Sequence, residues 1–270
     1  MEYDDFKAFE HTGWEHVVQA YEDYFGRLTA QSHGALLDAL RVGESSRMLD
    51  VATGPGYLAA AAIERGATAA AVDFSASMIA HARQAYPEVE FQVASADHLP
   101  FSNESFDAVG ISFGMQHFPQ PEQALSEAAR VLRPGGRVAF TVWAGPDKAV
   151  GMQMVLKAIE THGKLDVALP PAPPFFRFSD PGESTRALLA AGFTDPQVDE
   201  VSQIWHLVLP ETPFHGLMRG GVRIGALLRA QESSALTKIE RDVRASVAPY
   251  EQHGELLIPM PCVLASATKP

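Results

Sequence analysis

The chain has 270 residues, 46% of them apolar, a formal net charge of −12 and a single cysteine, Cys262. That length can bury one large core with a modest second lobe, while the acidic balance argues against a sequence-independent grip on nucleic-acid phosphates. One cysteine excludes an internal disulfide framework and a cysteine-rich metal site, and the acidic opening stretch MEYDDFKAFEHTGWEH lacks the apolar core of a signal peptide, so a soluble, cytoplasmic chain without membrane spans is expected.

Residues 1–42 carry apolar positions near helical spacing, in VVQAYEDYFGRLT and again in GALLDALRV, and predict helices ahead of the first strand. From Arg47 the pattern changes to short apolar runs separated by helical stretches: RMLDVAT, AAAVDF, VEFQVASA, FDAVGISFG and GRVAFTVW. Near-continuous apolar runs of this kind indicate parallel strands covered on both faces.

Beyond Trp143 the strict alternation stops. Residues 150–165 read as helix, and LPPAPPFFRFSDPG as a loop whose prolines forbid ladder bonding. STRALLAAGF predicts a short helix, PQVDEVSQIWHLVL one strand, residues 211–250 helical pieces broken at Gly220 and Gly221, and IPMPCVLASATK a closing strand. The expectation is an α/β fold, a Rossmann-like doubly wound seven-stranded sheet with helices on both faces and a helical cap. Its parts would be an N-terminal helical lid (1–42), a ligand-binding core (43–149), and the remaining strands with cap insertions at about 150–180 and 210–250 (150–270).

The stretch LDVATGPGYLAA places a glycine turn between a strand and a helix, at the sheet edge where open α/β folds bind ligands. Gly54, Gly56 and Ala59 satisfy G-x-G-x-x-G/A, and Asp73 follows at about the 20-residue spacing of a ribose-binding acid. A dinucleotide site fits that much, and so does a turn that merely packs helix on strand. Asp73 suits two ribose hydroxyls or, alternatively, the N-cap of SASMIAHARQA, a role that Ser75 could fill. Asp97, in ASADHLPF, is a further acid that a nicotinamide site does not ask for, and it could accept from an adenine amine.

With LDVATGPG, AVDFSASMIAHAR, ASADHLPFSNESFDAV and EAARVLRPGGRVAFTVW in order over residues 47–143, the chain resembles the class I S-adenosylmethionine-dependent methyltransferases, in the small-molecule branch that contains the UbiE-like quinone enzymes. FEHTGWEHVVQAYEDYFGRLTAQ is similar, less specifically, to the lid helices of that branch. The resemblance implies S-adenosylmethionine as cofactor and methyl transfer to oxygen or carbon of a small, partly apolar metabolite. It also implies cofactor contacts at Thr53, Gly54 and Gly56 on the turn, at Asp73 for the ribose, at Met78 for the adenine face, at Asp97 with the His98 backbone for the adenine amine, and at Phe74 and Ala96. Asp50, Ser112 and His117 at strand ends, and Trp14 and Tyr21 from the lid, complete the set. Met115 and Gln116 stand where the family often has a Leu-His or Arg-Asn pair, so the acceptor chemistry of relatives does not transfer.

His117, after the fourth strand run, is the leading candidate for a general base, against a reading in which it contacts the cofactor or only packs. His16, His206 and His215 are weaker candidates. Trp14 and Tyr21 fit a core anchor as well as a lid, Phe175, Phe176 and Phe178 an acceptor pocket or loop packing, and Arg219, Arg223 and Arg229 an anion site or a solvated face. No Asp/Asn cluster suggests a metal. The alternatives are an NAD(P)-dependent oxidoreductase and an adenosyl-cofactor-binding protein that does not methylate. Against the former, the only Tyr-x-x-x-Lys pair, Tyr3 with Lys7, precedes the predicted core. The expected partners are a small-molecule acceptor and at most a second copy of the chain, with neither nucleic acid nor membrane.

Overall fold

A computed structural model describes residues 3–270. Before the first strand lie α1 (Asp4–His16), α2 (Val18–Tyr21), a π-helical turn (Glu22–Gly26), α3 (Arg27–Ala30) and α4 (His33–Ala39). Then come β1 (Arg47–Val51), α5 (Tyr57–Glu64), β2 (Thr68–Asp73), α6 (Ala76–Ala85), β3 (Glu90–Val93), β4 (Phe106–Ser112), α7 (Pro121–Val131) and β5 (Leu132–Trp143). The remainder is α8 (Val150–His162), α9 (Pro181–Ala190), β6 (Thr194–Val201), β7 (Ile204–Val208), α10 (Pro213–Gly220), α11 (Arg223–Arg229), α12 (Ser233–Ser246), β8 (Glu251–Gln252), β9 (Glu255–Pro259) and β10 (Cys262–Thr268).

The main sheet has seven strands in the order β3-β2-β1-β4-β5-β10-β6. The first five are parallel, and β10 runs antiparallel to both β5 and β6. Strands β1 and β4 are buried along nearly their whole length, as strands covered on both faces must be. One face packs Leu125, Val131 and Leu188 of α7 and α9, the other Leu36, Leu58 and Ile79 of α4, α5 and α6. Chain order reverses between β1 and β4, so the crevice beyond their carboxyl ends is the switch point where such sheets take ligands.

Two sequence expectations are corrected. PQVDEVSQIWHLVL is two strands, β6 in the main sheet and β7 in a second, three-stranded sheet of order β7-β9-β8. IPMPCVLASATK is likewise divided, its first residues ending β9 and the rest forming β10. The second sheet carries its own apolar cluster, in which Trp205, Leu256 and Ile258 meet Met152, Val155, Leu217 and Val243 of the surrounding helices. Gly151 and Gly216 lie so close to the Trp205 indole that a Cβ on either would sit 2.9 Å or less from it. Among the described residues no helix is long and apolar enough to cross a membrane.

Candidate active site

Loops following five strands converge on one cavity with about 1110 Å³ of unfilled space, its open mouth included. Ala52 and Gly54 after β1, Asp73 and Phe74 at the end of β2, Ala94 to Ala96 after β3, Ser112 to Gly114 at the end of β4 and Trp143 of β5 line it. Its cover comes from Trp14, Tyr21 and Phe25 of the N-terminal helices and from the stretch Gly220 to Ile224.

The glycine turn has a floor and an open side. Gly54 adopts φ +53° and a Cβ there would meet nothing within 4 Å, so a ligand can approach its backbone. Gly56, at φ +91°, faces the other way: a Cβ would lie 2.9 Å from Phe91, so this glycine lets α5 sit on β3 and does not line the cavity. Ala52 and Phe113 are also left-handed, at φ +56° and +54°. Non-glycine residues held so at two strand ends mark backbone strain that the surrounding packing sustains.

The three acids have different surroundings. Asp50 is fully buried beneath the turn, where its Oδ2 accepts from Thr53 Oγ1 at 2.6 Å and Ala59 N at 3.1 Å. Asp50 and Thr53 thus brace the turn and do not line the cavity. Asp73 lines it, and its two oxygens accept from Gly54 N and Ser75 N, both at 2.9 Å. Ser75 caps α6 by accepting from Met78 N at 3.1 Å, which leaves each Asp73 oxygen spare acceptor capacity. Asp97 accepts from Lys7 Nζ at 2.8 Å. Burial works against ionising Asp97, but its bonds from Lys7 and Ser95 outweigh that and hold the carboxyl below its ordinary range. Lys7, noted in the sequence only in its pairing with Tyr3, lines the cavity, whereas Asp97 and the exposed His98 stand outside the lining.

Burial pushes the Asp50 carboxyl up to about 7 and that of Asp73 up to about 6. A carboxyl more firmly protonated in the folded chain than in the unfolded one contributes stability fully below its ordinary value of 3.8 and loses it as pH rises through 6 to 7. Asp50→Asn, whose amide oxygen can keep both bonds, is expected to remove the larger share of that slope. Its unfolding free energy relative to the parent should grow between pH 5 and pH 8, by an amount on the order of a few kcal/mol, in urea titrations at each pH. Parallel curves for the two proteins would show that Asp50 ionises freely.

His117 ends a short 3₁₀ turn after β4 and lines the cavity. Its Nδ1 lies 2.8 Å from Glu10 Oε2 of α1, which also accepts from Trp14 Nε1 at 2.9 Å. The Trp14 and Phe175 rings stand edge-on to the imidazole, with centroids 4.9 and 5.9 Å away, and Trp14 meets Tyr21 at 5.6 Å. The Tyr21 phenol, pushed by burial up to about 12, stays protonated. Phe74, Met78, Ala96 and Ser112 also line the cavity. So does Gln116, whose Nε2 donates to Phe113 O while its buried Oε1 has no partner.

The remaining candidates separate. Phe175 lines the cavity, Phe176 packs on it, and Phe178 is buried against Phe140 of the sheet. Arg223 lines the cavity, Arg219 pairs with Glu211, and Arg229 donates to Met218 O. His16 and His206 are exposed, and His215 belongs to the capping box of α10. Among the described residues no group of three or more His, Cys, Asp or Glu is placed to hold a metal. Sequence reasoning passed over Glu10, Ala52, Phe113 and Trp143, and of the 220–224 stretch it offered Arg223 as an anion candidate and the paired glycines as a helix break but not the stretch as part of the cavity's cover. The whole can hold a ligand with vicinal hydroxyls at Asp73, a flat apolar ring at Phe74 and Met78, and a second, apolar molecule toward Trp143, Phe175 and Ile224.

Residues 49–140 match the family described as methyltransferase domain. Over 128 residues the chain is 34% identical to a demethylmenaquinone methyltransferase of Renibacterium salmoninarum, covering 46% of this chain and 54% of that one. It spans about half the length of the relatives it matches in this way. Among solved structures it is similar to a Haemonchus contortus phosphoethanolamine N-methyltransferase in complex with S-adenosylhomocysteine (TM-score 0.58, 20% identity, 98% of this chain and 60% of that one). A second similar structure is the YcgJ protein from Bacillus subtilis (TM-score 0.56, 20% identity, 88% and 97%). These structures share the fold.

Proposed function

With a methyltransferase domain over residues 49–140, we propose that the chain moves a methyl group from S-adenosylmethionine to oxygen or carbon of a small, partly apolar metabolite by in-line displacement. The observation that carries this reading is one cavity joining an open glycine turn and a buried acid to an apolar chamber.

The residues present fit the cofactor. Asp73 has acceptor capacity left for ribose hydroxyls, Gly54 leaves its open side to the methionine portion, and Gln116 offers a buried oxygen without a partner. When bound, S-adenosylmethionine supplies a methyl group activated by a positively charged sulfur. The chain's contribution is positioning: Phe74 and Met78 fix the ring, the helices carrying Trp14 and Tyr21 exclude water as a lid, and Trp143 with Phe175 orients an apolar acceptor. His117, which lines the cavity, takes the proton of an acceptor hydroxyl in this reading. Demethylmenaquinone, named in the relatives, is the first acceptor to try. We place the reaction in the cytoplasm, in keeping with a lone, buried cysteine.

Parallel calorimetric titrations with S-adenosylmethionine, S-adenosylhomocysteine and NAD test the reading. The expected result is binding of both adenosyl ligands at about micromolar Kd and no heat with NAD. Binding of NAD alone would overturn the cofactor and the reaction class together.

A further inference from the structure

Glu10 sits in α1 at 1% exposure, on a helix whose neighbouring positions are mostly open to solvent. A carboxylate taken out of water is costly unless its charge is paired and hydrogen-bonded. Glu10 spends one oxygen on two donors, Trp14 Nε1 and His117 Nδ1, and leaves Oε1 without a partner. Trp14 is local, four positions along the helix, but His117 is 107 positions away. An apolar residue would pack α1 against the cavity as well, so packing does not account for an acid here.

The contact ties the tautomer to Glu10. With Glu10 ionised and His117 neutral, the carboxylate can only accept, which puts the imidazole proton on Nδ1 and the lone pair on Nε2. Trp14 and Phe175 hold the ring edge-on from two directions. Charged groups that act on the pair include Asp73, on His117 from the end of β2, and Arg223, on Glu10 from α11. Lys7, one helical turn before Glu10, is engaged by Asp97.

We propose that Glu10 is a positioning residue supplied by α1: it holds His117 with Nε2 free to take the proton of a hydroxyl acceptor, so that the base is in order only while α1 is docked. In that transfer the O–H bond breaks with its electron pair left on the acceptor oxygen. The N–H bond forms from the Nε2 lone pair, and the imidazolium, facing Glu10, later returns the proton to solvent. The catalytic use rests on the methyl-transfer reading, whereas the Glu10–His117 pairing does not.

Long-range ¹H–¹⁵N spectra of the full chain at alkaline pH, with His117 assigned by its loss in His117→Gln, read the tautomer directly. The parent protein and Trp14→Phe are expected to show a protonated Nδ1 and an unprotonated Nε2, and Glu10→Met to lose that pattern. Should Glu10→Met fail to fold, Glu10→Met combined with Trp14→Phe removes the carboxylate and its other donor together and reads the same signal. An unchanged tautomer without Glu10, or an equal change in Trp14→Phe alone, overturns the proposal. The expected tautomer in a protein that binds no adenosyl ligand would confirm the pairing and refute the methyl-transfer reading on which its use depends.

Discussion

Replacing His117 by asparagine is expected to lower kcat with a hydroxyl acceptor by about 10²- to 10⁴-fold, the usual contribution of a placed general base, with a much smaller change in cofactor Kd. The ring lines the cavity at the end of β4, the strand beside the switch point, and its Nδ1 is already committed to Glu10. Only Nε2 is left for the reaction. Initial rates at saturating S-adenosylmethionine, together with calorimetry on the same variant, separate the two effects. A kcat loss below tenfold accompanied by an equal loss of affinity would assign His117 to cofactor binding.

Asp73→Asn is expected to weaken S-adenosylmethionine binding by about 1.5–3 kcal/mol for each charge-assisted bond lost, with the fold intact. The carboxylate has a double task, since it accepts from Gly54 N and Ser75 N as well as from the ligand. An amide must turn its NH₂ toward one of those backbone donors, so the turn itself shifts. Calorimetry measures the affinity, and far-ultraviolet circular dichroism checks the fold. Unchanged affinity would reduce Asp73 to a brace for the glycine turn.

Much of the main sheet was legible because five of its strands are short apolar runs between helical stretches. The second sheet was not. Nothing between Val201 and Ile204 breaks a strand locally; the chain turns there because Gln203 donates its amide to Leu28 O and takes Met260 N on its own carbonyl, both long-range bonds. Pro259 and Pro261 flank the passage from β9 to β10, and prolines inside a run argue against one continuous strand, so that signal was present in the sequence.

The site divides in the same way. Gly54 and Asp73 could be read from spacing because strand ends deliver them to one edge, whereas Phe74 and Met78 entered only through the family resemblance. Gly56 satisfied the same pattern, yet its reason is the proximity of Phe91. Asp97 followed a strand run as expected, but its partner, Lys7, belongs to a helix whose docking no local pattern encodes. Glu10 is invisible for the same reason, since its role exists only once α1 meets the loop after β4.

Polar anchors of α1 include Lys7 to Asp97, Glu10 to His117, and Glu15 to the backbone of Ala76 and Ser77 and the Ser77 hydroxyl. Their partners lie 90, 107 and 61 to 62 positions further along the chain. During synthesis the helix emerges from the ribosome well ahead of every group that will fasten it, and contacts of such sequence separation form slowly. A helix made before its own fastenings is thus expected to settle after them, and the nascent sheet can assemble its ligand-binding edge while that edge is still uncovered.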